Sequence, residues 1–451
     1  MKLALALALT ACGGSSHPAG GDAPITSADT ASPDADTGMI TVSLRRGTVP
    51  IAAAPVVSQD GEGNVVASYV TEANGDAVLP SAGVAMVTVI DTDQSQLYTA
   101  VGVAGGDHIT IPTFSEIATY GTVNVTLPAA PPGAVGFEVF TGDAFGGGST
   151  VAAPFAIATT GLDVGHDGMI TVIGLARDVD YNIIAVATAT GVTPPAQGST
   201  ISVTTGAWST AFDEFHLGVA NGTLGDLVNS TQGQNIGGVE YALPSLTGNN
   251  SYIRWWPLPS LGGYVEYSAQ IPFGTPTGGG NYPANRFQAR RLAPDATSDN
   301  IDIAALLPGL TATSADSTNV ARPTLTWTAA ASTAGARPRT AASPDGDAVP
   351  MTAGADGVVL NTQWNGAQYG QWAFLLPPTQ TSVQFPALPA SLATWAPTVA
   401  VAQPYAVLID TTFDASYADF RGDGFGLVGG PQFLHDGTGT LLGSMYFPQP
   451  F

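Results

Sequence analysis

The chain has 451 residues and a formal net charge of -23 at pH 7. Charged residues are only 10% of it and hydrophobic ones 44%, against roughly 25% charged in an average domain, so there is apolar material for real cores. Such an acidic chain repels nucleic acid and anionic membrane surfaces, and no apolar run approaches the roughly 20 residues that a bilayer-spanning helix needs.

The length predicts about three or four domains. Among the 35 acidic residues, 28 are Asp and 7 are Glu. That bias suits turns, where Asp closes local hydrogen bonds, more than helices. With 55 Gly and 34 Pro, the composition points to short strands joined by tight turns. The expected fold class is all-β, several β-sandwich domains in series.

At the N-terminus Lys2, the only lysine, precedes an apolar run over residues 3–9 and then Leu9, Thr10, Ala11 and Cys12. This is the grammar of a secretory signal. The last four residues resemble the lipobox of bacterial lipoproteins. That resemblance implies a signal peptide over 1–11, cleavage before Cys12, a diacylglycerol on its thiol and an acyl chain on its new amine. Together such chains anchor a protein stably to a membrane, where one would be marginal. Gly13 in the next position leans towards the outer membrane by the sorting rule of such lipoproteins. Cys12 is the only cysteine, so no internal disulfide forms. Residues 12–36, rich in Gly, Ser, Ala, Pro and Asp, read as a flexible tether.

A first module is expected over 37–113. Ile40, Val42 and Leu44 alternate with polar residues, the period of a half-buried strand. Gly47, Pro50, Ile51, Val56, Thr71, Asn74, Gly75, Gly83, Val87 and Val89 then follow in the pattern of the carboxypeptidase regulatory-like, transthyretin-type β-sandwich, which this stretch resembles. The segment from Thr71 to Ala77 is also similar to bacterial Ig-like repeats of adhesins. Both relatives are sandwiches without chemistry of their own. Residues 118–205 predict a second sandwich, with Val123, Val125 and Leu127 alternating. Residues 206–312 hold the densest aromatic stretch, a strand from Tyr264 to Ile271 and one short helix over Ile301 to Leu307. The last module, 318–451, resembles an Ig or fibronectin type III sandwich in its alternation of Leu325 and Trp327 with threonines.

Little in the sequence carries chemistry. Five histidines are present, and His166-Asp167 and His435-Asp436 sit in Gly-flanked turns. There is no His-Glu-x-x-His and no cysteine pair for zinc, and no Gly-x-Ser-x-Gly elbow. The run Gly146 to Thr150 lacks the lysine of a phosphate loop and reads as a loop tip. Glu214, Glu240 and Glu266 are the candidates for a glycosidase carboxylate pair. The only cation suggested is calcium, for which Asp60, Glu62 and Asn64 offer oxygens at alternate positions. Asp410, Asp414, Asp419 and Asp423 make a second acidic patch. Arg254-Trp255-Trp256 with Tyr252 is the best ligand-binding candidate, because flat aromatic faces beside polar groups suit sugars and Arg stacks on Trp.

The expected protein is lipid-anchored at the outer membrane, periplasmic or surface-facing. Its expected work is non-catalytic binding, adhesion or envelope structure, with a glycan or another envelope protein as partner. The alternative is a polysaccharide-binding or hydrolytic lipoprotein with its site in 206–312.

Overall fold

A computed structural model describes residues 38–46, 49–113, 119–142, 144–149, 155–160, 164, 167–227, 229–243, 245–248, 252–274, 282–330, 355–366, 369–414, 416–427 and 437–448. Among them the chain is all-β, with one α-helix, Tyr417–Asp423, and a few short 3-10 segments. Cys12 and the tether lie outside the described residues.

One topology occurs four times. In the first copy Met39–Arg46 is flanked by Asp76–Pro80, antiparallel, and by His108–Thr113, parallel. Facing it is a layer in the order Val65–Val70, Pro55–Gln59, Met86–Asp91, Gln96–Val101. In the second copy Thr119–Thr126 lies between Phe155–Thr160, antiparallel, and Thr200–Thr204, parallel. Its facing layer runs Ala144–Ser149, Gly136–Thr141, Ile170–Arg177, Ile183–Val192. The third copy places Phe215–Ala220 between Tyr252–Trp255, antiparallel, and Ser298–Asp302, parallel. It faces Val239–Ala242, Asn229–Ile236, Tyr264–Phe273, Ala284–Leu292. In the fourth, Thr324–Ala329 pairs antiparallel with Ser382–Gln384 and faces Tyr369–Leu376, Gly357–Asn365, Tyr405–Thr411, Gly439–Tyr446. Where the other copies have a closing parallel strand, Leu310–Asp316 pairs antiparallel instead.

The alternation in the sequence explains the shared opening strand. Ile40, Val42 and Leu44, then Val123 and Val125, then Phe215 and Leu217, then Leu325 and Trp327 are all buried, each on the inward face of a pleated strand. In the first copy Thr71 Oγ1 donates to the Ile51 carbonyl at 2.6 Å and accepts from Ala54 N at 3.0 Å. Asn74 Oδ1 accepts from Asp76 N at 3.1 Å. Gly75 has φ +81°, and a Cβ there would meet the Leu44 carbonyl at 2.8 Å, so this turn requires glycine.

Three of the facing layers join edge to edge into one 12-stranded sheet among the described residues. The third copy meets the fourth where Ala284–Leu292 pairs antiparallel with Gly439–Tyr446. The fourth meets the first where Tyr369–Leu376 pairs in parallel with Gln96–Val101. The joining strand is apolar on both faces: Trp372, Phe374 and Leu376 face one core, Ala373 and Leu375 the other. Burial on both faces is the usual condition for parallel pairing. The second copy keeps separate sheets and packs on the third through Phe140, Ile173, Leu175, Tyr241, Trp256 and Leu258.

Two local expectations are corrected. The helix expected from Ile301 to Leu307 is a strand end followed by one 3-10 turn, Ile303–Ala305, capped by Asp302 accepting from Ala304 N. The strand wins because Ile301 fills the core, and Pro308 leaves no length for a helix. The glycine-rich run from Gly146 is no loop tip through Ser149: Ala144–Ser149 is a strand that pairs with Gly136–Thr141. Thr150, His166, His435 and Asp436 lie outside the described residues.

Candidate functional site

Parity along the strand Tyr252–Trp255 decides which aromatic groups are available. Ile253 and Trp255 point inward, at 8% and 0% exposed, while Tyr252 and Arg254 occupy the opposite face and are half-buried. Trp255 packs on Phe215, with ring centroids 4.2 Å apart. Trp256 is buried in the contact with the second sandwich. The tandem tryptophans are therefore core and interface, and neither offers a face to a sugar. That corrects half of the expected binding group and leaves Tyr252 and Arg254.

These two are joined by residues from distant strands. Cross-strand pairing sets His216 opposite Arg254, and the His216 ring stacks on Tyr252 at 4.4 Å and 26°. Glu214 bridges the pair: its Oε1 lies 2.6 Å from His216 Nε2, and its Oε2 accepts from Arg254 Nη1 at 3.3 Å. Arg254 Nη2 donates to Asn182 Oδ1 of the second sandwich at 2.8 Å, and its guanidinium lies 5.6 Å from the Trp256 ring centroid. Nearby on the same sheet, Gly218 has no side chain to hold off Asn300; a Cβ there would meet Asn300 Oδ1 at 2.4 Å. The cluster is balanced in charge, Arg254 against Glu214. Ion pairs this close to solvent add about 0–1 kcal/mol each, so the half-buried pair contributes little to stability.

The sheet beneath is fixed by a polar network. Arg290 Nη1 donates to both Asp299 oxygens at 2.7 Å, the Tyr267 hydroxyl donates to Asp299 Oδ2 at 2.8 Å, and Gln288 Nε2 donates to the Tyr267 oxygen at 2.6 Å. Burial, with Asp299 beside it, pushes the Tyr267 phenol far above its ordinary range, so it stays a neutral donor. This network ties the closing strand Ser298–Asp302 to the facing layer.

The loop that supplies Asn182 has a twin. In Asp178 to Asn182, Asp178 Oδ1 accepts from Asp180 N and Asn182 N, both at 2.9 Å, and its Oδ2 accepts from Asn182 Nδ2 at 2.9 Å. In Asp60 to Asn64, Asp60 makes the same three bonds with Glu62 N, Asn64 N and Asn64 Nδ2 at 3.0, 2.8 and 3.1 Å. The fourth position is left-handed in both: Gly63 at φ +74° and Tyr181 at φ +65°. For a residue with a Cβ that conformation costs roughly 1–2 kcal/mol. Tyr181 is 65% exposed, so packing of its ring does little to offset the strain.

The same geometry engages Asp60 and Asn64, two of the residues considered for calcium with Glu62, within their own loop. The Asp60 oxygens are turned onto N–H groups of their own loop, and the Glu62 carbonyl accepts from Arg322 Nη2 at 2.7 Å. Among the described residues no three His, Cys, Asp or Glu side chains gather around one point. In the second acidic patch, Asp419 lies in the first turn of the helix capped by Ser416, whose Oγ accepts from Asp419 N and donates to Asp419 Oδ2 at 2.9 Å. Asp414 Oδ2 accepts from Thr411 Oγ1 at 2.8 Å.

The loop bonds hold the Asp60 and Asp178 carboxyls below their ordinary value of 3.8, chiefly through Asn64 and Asn182. Folded-state values below the unfolded ones mean that the stabilisation is present above pH 3.8 and is lost as pH falls through the lowered values. Hydrogen exchange should show protection of the Asn64 and Asn182 amides falling together below pH 3.8, while the core strands keep theirs. Unchanged protection at both amides would contradict this.

Two constellations that could suggest catalysis do not assemble. Ser43, Asp76 and His108 meet in the first copy, but Ser43 Oγ donates to Asp76 Oδ1 at 2.6 Å, and His108 Nε2 lies 3.0 Å from Ser43 Oγ. The serine proton is on the carboxylate side, and Ser43 is 1% exposed, whereas a nucleophilic serine hands its proton to histidine. Glu266 lies on the opposite strand face from Val265 and Tyr267, which fill the core. It is buried against Arg291, and burial pushes its carboxyl up against the opposing pull of that guanidinium. Glu214 lies across that core from it. His216 stands two residues from Glu214 in the sequence, but its stacking on Tyr252 leaves no local trace, because the two rings are on strands paired at a distance.

No family model matches the chain, and no characterised protein matches it by sequence. Weak likenesses to solved structures exist. The Bacillus anthracis TIE protein aligns at 13% identity and a TM-score of 0.15 over 59% of this chain and 49% of its own. A leucine-rich repeat protein from Bacteroides thetaiotaomicron aligns at 12% and 0.14 over 41% of this chain and 26% of its own. Salmonella alpha-2-macroglobulin aligns at 9% and 0.11 over 79% of this chain and 27% of its own. In each case the chain spans about half or less of the structure it is similar to.

Proposed function

We infer that this is a lipid-anchored protein of a Gram-negative envelope, held at the outer membrane through Cys12, and that it works by binding, adhesion or support. The observation that carries the reading is the half-buried, charge-balanced group of Tyr252, His216, Arg254 and Glu214 on a sheet braced by the network around Asp299. A rigid sheet face with a few fixed polar groups is a means of holding a ligand. The four repeated sandwiches, three of them fused into one sheet, suit a stiff body displayed from a tether. The hydrolytic alternative is disfavoured because Glu214 and Glu266 lie on opposite sides of a core, while a glycosidase pair must face one bond.

The test is fractionation of cells carrying the wild-type chain or Cys12→Ser. Wild type should sediment with the outer membrane, and the variant should appear in the soluble fraction. Soluble wild type, or a variant retained equally well, would overturn the anchor.

A further inference from the structure

Tyr181 sits in a left-handed position that its twin loop fills with Gly63, and its ring stays in solvent. Glycine would serve the turn there without strain. A strained residue whose side chain does little packing is a pointer to function. Its neighbour Asn182 takes the 2.8 Å bond from Arg254, and Arg254 shares a strand face with Tyr252.

The geometry points to a binding site for a neutral glycan at the junction of the second and third sandwiches, with Tyr181, Tyr252 and His216 as its aromatic surface and Arg254, Glu214 and Asn182 as its hydrogen-bonding groups. This rests on the reading of the chain as a binding protein. Ring faces accept the C–H faces of pyranoses, and a few fixed planar groups select hydroxyl positions. The charge argument separates neutral from acidic polymers. Arg254 is already matched by Glu214, and a chain of net charge -23 repels a polyanion. The stack of His216 on Tyr252 leaves His216 at 45% side-chain exposure, so a ring remains open to a ligand.

Affinity electrophoresis of the full chain tests this, in gels containing a soluble β-glucan, mannan or dextran, with polygalacturonate as the acidic comparison. At least one neutral polymer should retard the wild type, and polygalacturonate should not. Tyr181→Gly should weaken that retardation about tenfold, the effect of removing a central aromatic contact, while its thermal midpoint stays level or rises. Tyr252→Ala should weaken it similarly. Retardation by none of the neutral polymers, stronger retardation by polygalacturonate, or a Tyr181→Gly chain that binds normally would overturn the proposal. A chain that depends on Cys12 for membrane retention yet ignores every polymer removes the glycan assignment alone and leaves the anchored envelope reading standing.

Discussion

Trp372→Ala should destabilise the protein by about 3–5 kcal/mol, the cost of emptying a large buried aromatic site. Trp372 is fully buried, stacks on Phe374 at 5.5 Å and meets Phe385 edge-on at 4.4 Å. Its Nε1 donates to Thr99 Oγ1 of the first sandwich at 2.8 Å, and Thr99 is 2.8 Å from Thr88 Oγ1. The residue thus fills the core of the fourth copy and holds the seam to the first. Chemical denaturation should show the loss, and hydrogen exchange should rise in Met86–Asp91 as well as in the fourth copy. Trp372→Phe, which keeps most of the volume, should lose less. Unchanged exchange in Met86–Asp91 would mean that the seam does not couple the two sandwiches.

Arg421→Met should cost a comparable amount, for a different reason. The helix Tyr417–Asp423 begins on its Ser416 cap and carries Arg421 into the first sandwich. The Arg421 side chain is 5% exposed. Its Nη2 donates to Asp107 Oδ1 at 2.6 Å, it donates also to the Gly102 carbonyl, and its guanidinium lies 5.0 Å from the Tyr417 ring centroid. The Tyr417 hydroxyl reaches the Val101 and Leu375 carbonyls at 2.7 and 2.9 Å, one on each side of the seam. Removing the guanidinium leaves Asp107 poorly solvated without its cation, a change that typically costs about 3–5 kcal/mol. Asp107→Asn in the same chain should recover a good part of it, because the stranded charge is then gone. A double-mutant cycle in urea measures this coupling, and additive losses would contradict it.

Much of this fold was written in alternation. Ile40, Val42 and Leu44 announce an inward face, and Asn74-Gly75 announces the turn that follows. The joining of sandwiches was harder to read because an edge strand becomes a central one only when a partner arrives. Its trace is the unbroken apolar run Ala373-Phe374-Leu375-Leu376, which a strand with one wet face would not carry. Glycines misled at 146–148, where local preference favours a loop but pairing with Gly136–Thr141 imposes a strand. Within the site, the parity of Ile253 with Trp255 already implied that Trp255 points inward. The contribution of His216 to Tyr252 depends on strand pairing between residues far apart, which no local pattern encodes. The twin spacing of Asp60 to Asn64 and Asp178 to Asn182 is visible in the sequence, and it becomes informative once Gly63 and Tyr181 prove to share a backbone conformation.

Binding without bond breaking is most directly tested by incubating the purified full chain with the polysaccharide that retards it and following both bound polymer and new reducing ends. Polymer should be retained at undiminished length, with no reducing ends above the blank over a day. Steady release of reducing ends that disappears in Glu214→Gln would contradict the non-catalytic reading and make this sheet face an active site.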